Sequence, residues 1–328
     1  MMKCAYVFCH LWGVFYMKRN LTFLSCDAIT DIHAVQWLPS RQPKAVVQLI
    51  HGMVEYIERY DGFAQYLTEQ GFVVFGHDHL GHGQSVRSVE DWGFISEMAP
   101  ARSLVRDIHK MRKNAQKLYP DIPYIMLGHS MGSYLLRRYL SQKGEGLSGA
   151  IIVGTGAESD LVVRSGLMMV RSTAQAKGWR FRSEKIKEMT YTAPYKMYDL
   201  HGIDNSNSWV CSDPEIMEAY NHDPRCQFTF TLSGYEALLS TVLFDNQRKN
   251  IDMIPKDLPM LLTSGELDPV GNLGKGVKKV YQQYVKAGIS DIECKLYPED
   301  RHEILNEPNK AEVYADIVDW IERRCLSK

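Results

Sequence analysis

The pentapeptide Gly128-His129-Ser130-Met131-Gly132 sits between the apolar run 124–127 and a helix-patterned stretch that begins at Ser133. No other feature constrains the fold of this chain as much. Glycine-x-Ser-x-glycine in that setting specifies a strand that ends in a sharp turn and enters a helix at once. The glycines let strand and helix approach without a Cβ clash. The turn carries the serine hydroxyl to the C-terminal end of a sheet, beside a helix N-terminus whose partial positive charge favours a developing anion.

The rest of the sequence has the rhythm that such a turn requires. The run 45–50 is almost continuously apolar, as in a strand buried on both faces. Residues 58–70 place Tyr60, Phe63, Ala64 and Leu67 on one helical face, and Gly71 stops them. Strand 72–76, helix 103–119, strand 124–127, helix 131–142 and strand 150–153 continue the alternation. Strand 258–263, helix 276–287, strand 292–297 and helix 310–324 close it. Two runs ahead of these, 21–25 and 33–37, predict an antiparallel hairpin. Alternating strands and helices predict an α/β fold, a mostly parallel central sheet with helices on both faces. The alternation breaks between about residues 155 and 246, where aromatic residues and helical pieces dominate. That stretch is too long for a loop and reads as an inserted helical cap. The expected organisation is a core over 18–154 and 247–328, a cap over 155–246, and an N-terminal extension over 1–17.

A chain of 328 residues, 45% hydrophobic and 23% charged, can bury a core without staples. A net charge of −1 with no long block of like charge gives no reason to expect nucleic acid. The seven cysteines are odd in number and include no CxxC pair, which disfavours a disulfide framework or a zinc site. They point to a reduced, cytoplasmic compartment. The apolar stretch 4–17 is shorter than the ~20 residues a membrane helix needs. Lys18 and Arg19 follow it directly, with no small-x-small cleavage site. It reads as an extension; as a targeting segment it would instead imply membrane association or export. The oligomeric state is not legible.

A serine hydroxyl is a weak nucleophile and needs a base. Two loops just past strands supply partners in the order serine, acid, histidine: Ser264-Gly265-Glu266-Leu267-Asp268-Pro269, then Pro298-Glu299-Asp300-Arg301-His302-Glu303. Asp268 would orient the His302 imidazole and stabilise its protonated form, and His302 would move the proton. Glu266 is the rival acid. A tetrahedral intermediate also needs two N–H donors. Met131 N–H follows the serine, and Met53 N–H lies in the loop His51-Gly52-Met53-Val54-Glu55. His51 reads as support for that loop, and His129 as a flanking residue. His77, Asp78, His79 and His82 have the look of a metal site. Side chains that hydrogen-bond their own loop explain them more simply, so neither metal nor cofactor is expected.

Four segments together resemble the monoacylglycerol lipase and lysophospholipase-like branch of the α/β hydrolases, also labelled serine aminopeptidase-like. They are His51-Gly52-Met53-Val54-Glu55 with Arg59-Tyr60; the stretch from Asp78 to Ser85; Gly128 to Gly132; and Leu267-Asp268-Pro269 with Arg301-His302-Glu303. The resemblance runs from about residue 21 to 326. One departure is Tyr56, where the family pattern usually has a histidine. The resemblance implies the α/β-hydrolase fold, an acyl-enzyme mechanism, no cofactor, and a cap that shapes the site. Substrate identity does not carry over with the resemblance, because the cap is where such families diverge most. The apolar run 161–170 is what points to a carboxylic ester with a medium or long acyl chain, such as a monoacylglycerol or lysophospholipid, with transient contact with a lipid surface left open. The run 161–170 is either an acyl tunnel or packing. Two alternatives stand: an aminopeptidase that holds a substrate ammonium with Glu158, Asp160, Asp204, Asp213 or Glu215, and a non-catalytic binding module.

Overall fold

The computed structural model describes residues 3–11, 14–190 and 195–327. Its nine strands form one sheet: β1 (Lys3–Leu11), β2 (Val14–Leu24), β3 (Asp31–Leu38), β4 (Ala45–Ile50), β5 (Phe72–His77), β6 (Tyr124–His129), β7 (Gly149–Val153), β8 (Met260–Gly265) and β9 (Ile292–Tyr297). The order across the sheet is β1-β2-β3-β5-β4-β6-β7-β8-β9. Pairing is antiparallel from β1 to β5 and parallel from β5 to β9. The hairpin read from 21–25 and 33–37 is present as β2 and β3, with Leu21 opposite Ala34. Within residues 1–17, where the sequence predicts an extension, Lys3–Leu11 pairs antiparallel with β2.

The central strands are buried along their whole length, and their side chains divide by alternation between two cores. Val46, Ile50, Met126 and Ile152 face α2 (Pro100–Leu118) and α3 (Met131–Lys143). Val47, Leu49, Ile125 and Ile151 face a second core, joined by α1 (Asp61–Glu69) and the C-terminal helix 310–321. Gln48 is the polar exception in β4. It is satisfied in place, since its amide donates to Ile108 O at 3.1 Å and the Tyr124 hydroxyl donates to its Oε1 at 2.6 Å. Two predicted boundaries shift for local reasons. Helix α2 begins three residues early, because Pro100 suits a first helical position. Residues Ile57–Tyr60 form a tighter 3₁₀ turn ahead of α1.

Between β7 and β8 the chain leaves the sheet and is helical. This segment holds α4 (Asp160–Lys177), α5 (Glu184–Thr190), α6 (Pro214–His222), α7 (Leu232–Asp245) and α8 (Arg248–Ile251). Ser159, Asp213 and Thr231 cap α4, α6 and α7 with side-chain oxygens. Helices α4 and α7 pack through Val163, Leu167 and Val242, with Tyr134 of α3 beneath them. Helices α9 (Lys275–Lys286) and α10 (Lys310–Ile321) complete the layers. No helix among the described residues is long and apolar enough to cross a membrane.

Candidate active site

Ser130 is the single residue between the end of β6 and the start of α3, with φ 55° and ψ −122°. A non-glycine residue in that region costs roughly 1–3 kcal/mol and persists only where its surroundings over-determine it. Here its N–H donates to Val153 O at 3.0 Å, and its carbonyl accepts the Ser133 N–H at 2.8 Å and the Ser133 hydroxyl at 2.6 Å. A Cβ on Gly132 would fall 2.0 Å from Ile50 O, and one on Gly128 would fall 2.4 Å from Gly132 O. Both glycines are therefore sterically required. Met131 opens α3, so its N–H has no partner within the helix.

Asp268 is fully buried just past β8. The Ser264 hydroxyl donates to its Oδ2 and the Val270 N–H to its Oδ1, both at 2.8 Å. His302 Nδ1 stands 3.0 Å from the same Oδ1. Burial pushes the Asp268 carboxyl up, but His302, Ser264 and Val270 outweigh it and hold the group below its usual range. Glu266, the rival acid, faces Lys278 at 3.7 Å instead.

His302 follows β9 and lies between two rings, His129 at 4.7 Å and Trp209 at 5.2 Å between centroids. A Cβ on Gly154 would stand 3.1 Å from His302 Cε1. Ser130 and His302 line one cavity of about 1010 Å³, together with Met53, Leu161, Met169 and Leu238. The structure thus brings the predicted serine, acid, base and oxyanion loop to one place.

The loop that carries Met53 is fixed by His51. The His79 N–H donates to His51 Nε2 at 2.8 Å, so Nε2 is the acceptor and Nδ1 carries the proton. Nδ1 then donates to Gly52 O at 2.8 Å. In a planar trans peptide the Met53 N–H points opposite to that carbonyl. Burial, followed by neighbouring His79 and His82, holds His51 neutral. Asp78 accepts the N–H groups of Ile57 at 2.8 Å and Gln84 at 2.7 Å, and burial raises its carboxyl to about 7. Burial lowers His77 to about 3. Asp78 spends both carboxylate oxygens on backbone N–H groups, and His79 and His82 each set one ring nitrogen against a backbone carbonyl, whereas neither ring nitrogen of His77 has a hydrogen-bond partner. Among the described residues no group of three or more such side chains is arranged for a metal.

Reasoning from sequence gave no contacts for several residues of the site. Glu55, Arg59 and Glu303 form a buried charge network, for which the i, i+4 spacing of Glu55 and Arg59 was the only local signal. Tyr56, the departure from the family pattern, donates its hydroxyl to Asp223 at 2.8 Å, and the Arg225 guanidinium lies 3.7 Å from its ring centre. The segment after α5 is clamped to the loops of His302 and Asp268. The Glu303 N–H donates to Val210 O at 2.8 Å, Arg301 donates to Ser206 O at 3.1 Å, and the Tyr198 hydroxyl donates to Leu267 O at 2.7 Å. The run 161–170 divides between its two readings. Leu161, Val162 and Met169 line the cavity, while Leu167 and Val170 are buried in packing.

The model of a family described as serine aminopeptidase, S33, matches residues 41–309. The chain belongs to this family. A monoacylglycerol lipase of Mycolicibacterium smegmatis is 26% identical over 308 residues, which is 93% of this chain and 97% of that protein. The human monoglyceride lipase is 26% identical over 88% of this chain and 86% of its own length. Among solved structures, a thermostable carboxyl esterase from Bacillus coagulans in complex with glycerol aligns with a TM-score of 0.85. It is 30% identical over 94% of this chain and 99% of that one. The family and this likeness make the fold that of the α/β hydrolases.

Proposed function

We propose that the protein is a serine carboxylester hydrolase that acts on acyl esters, such as a monoacylglycerol or lysophospholipid, through an acyl-enzyme. One observation carries the reading: the strained Ser130 shares a cavity with His302, whose Nδ1 stands 3.0 Å from buried Asp268. His302 takes the proton as Ser130 Oγ attacks the ester carbonyl, and the carbonyl oxygen becomes an oxyanion held by Met53 and Met131 N–H. His302 returns the proton to the departing alcohol, and water then releases the acid by the same steps. Asp268 stabilises the imidazolium. In this reading the segment between β7 and β8 is the cap.

The ester class is supported by the lipase and esterase activities of the relatives and by the apolar wall from α4 and α7. Leu161, Val162 and Met168 are exposed on α4; two of them reach the cavity, which suits transient contact with a lipid surface. A panel of 4-nitrophenyl esters of rising chain length tests this. Specificity (kcat/KM) is expected to rise from acetate to medium chains; a sharp preference for acetate would count against the lipid-like substrate. The peptidase reading is weaker. Of the five acids considered, Glu158 and Asp204 line the cavity, while Asp213 caps α6. Turnover of aminoacyl arylamides above that of the esters would reverse this ranking.

A further inference from the structure

We infer that Glu55 is a positioning residue, whose carboxylate ties the loop presenting Met53 to the loop presenting His302 through two links, His129 and Arg59. The inference rests on the roles proposed above for Ser130, His302 and Met53.

Glu55 is buried directly behind the serine. A Cβ on Gly52 would fall 2.6 Å from Glu55 Oε1 and 2.9 Å from Ser130 Cβ, so only a glycine separates them. Oε1 accepts the Gly52 N–H at 2.5 Å and the Tyr60 hydroxyl at 3.0 Å, and stands 3.2 Å from His129 Nδ1. The other nitrogen of that ring, His129 Nε2, stands 3.2 Å from the backbone carbonyl of His302. A carbonyl only accepts, so Nε2 carries a hydrogen and the imidazole spans from the oxyanion loop to the base. The second link runs through the guanidinium. Arg59 Nη1 lies 3.1 Å from Glu55 Oε2, and Arg59 grips Glu303 in bidentate fashion at 2.5 and 2.7 Å. Glu303 directly follows His302, so the two links close a ring.

The charges of the ring support a fixed geometry. Burial alone would raise the Glu55 carboxyl, but His129 and Arg59 outweigh it and bring it to about 2. Burial alone would lower His129, and Glu55 outweighs that in the opposite sense. Buried ion pairs rarely add net stability over apolar packing. What this one provides is registry between segments distant in the chain, where a shift of about 1 Å can cost on the order of 10²-fold in rate.

Three variants test the inference, each read as kcat and KM on a 4-nitrophenyl ester per serine titrated with a fluorophosphonate. Glu55→Gln removes the charge and keeps the shape. His129→Gln keeps a donor near Nε2 and gives up the Glu55 side; His129→Asn keeps a group near Nδ1 and gives up the His302 side. All three are expected to lose kcat, on the order of 10²-fold at most, with KM unchanged. Wild-type kcat per titrated serine in Glu55→Gln or in either His129 variant overturns the inference, even if fewer molecules fold. Should Glu55→Gln fail to fold, the two His129 variants decide. Ser130→Ala is run beside them: its inactivity upholds the underlying reading, and its activity would overturn both.

Discussion

Ser130→Ala is expected to lower kcat by about 10⁶-fold while leaving the fold intact. Alanine tolerates φ 55° no worse than serine, and the hydrogen bonds that impose the turn use backbone groups of Ser130. The change therefore removes little besides the attacking oxygen. His302 and Asp268 then have no proton to move, because the three groups act as a unit. The proposed oxyanion donors and the cavity remain, so substrate binding should persist. Initial rates on a medium-chain ester, with a thermal melt on the same sample, check both halves. A variant that melts like wild type and retains a tenth of its turnover would place the nucleophile elsewhere.

Asp268 separates into two effects that two substitutions can tell apart. Oδ1 accepts the Val270 N–H at 2.8 Å and faces His302 Nδ1 at 3.0 Å, while Oδ2 faces only the Ser264 hydroxyl. In Asp268→Asn the amide oxygen should take the Oδ1 place, since Val270 N–H needs an acceptor, and the rotatable Ser264 hydroxyl can accept from the amide nitrogen. The orientation of His302 then survives and only the charge is lost. A hydrogen bond to a charged partner is worth about 1.5–3 kcal/mol, so kcat should fall about 10²-fold. Asp268→Ala removes charge and orientation together and should cost about 10⁴-fold. Equal losses in the two variants would mean that charge alone is what Asp268 supplies, and a loss in Asp268→Ala with none in Asp268→Asn would mean orientation alone. The charge also makes stability depend on pH. Because the folded carboxyl lies below its usual range, its contribution is present above the unfolded value and fades as pH falls through the folded one.

Much of this was legible because the fold repeats local rules. A sharp turn flanked by glycines, parallel strands read as apolar runs, and loops that begin where strands end all leave marks within ten residues. Those marks placed Ser130, Asp268 and His302 in order without coordinates. What stayed hidden is set by distance along the chain. Glu303 meets Arg59 across 244 positions, and no periodicity announces a charged pair that only the folded sheet brings together. Trp209 against His302 is similar: it lies in a stretch of 3₁₀ turns and bends between α5 and α6, where pattern is weakest. The run 161–170 had one pattern and two uses, because a helix between a cavity and a core is apolar on both sides.

The central claim is that His302 and Asp268 activate Ser130 within a single cavity. Its most direct measurement is peptide mapping by mass spectrometry after brief treatment with a fluorophosphonate, on wild type and His302→Ala. The account expects an adduct on Ser130 in wild type, formed at least a thousand times faster than in His302→Ala, on the order of what loss of one member of such a triad costs. An adduct on another serine, or one on Ser130 forming equally fast without His302, would contradict it.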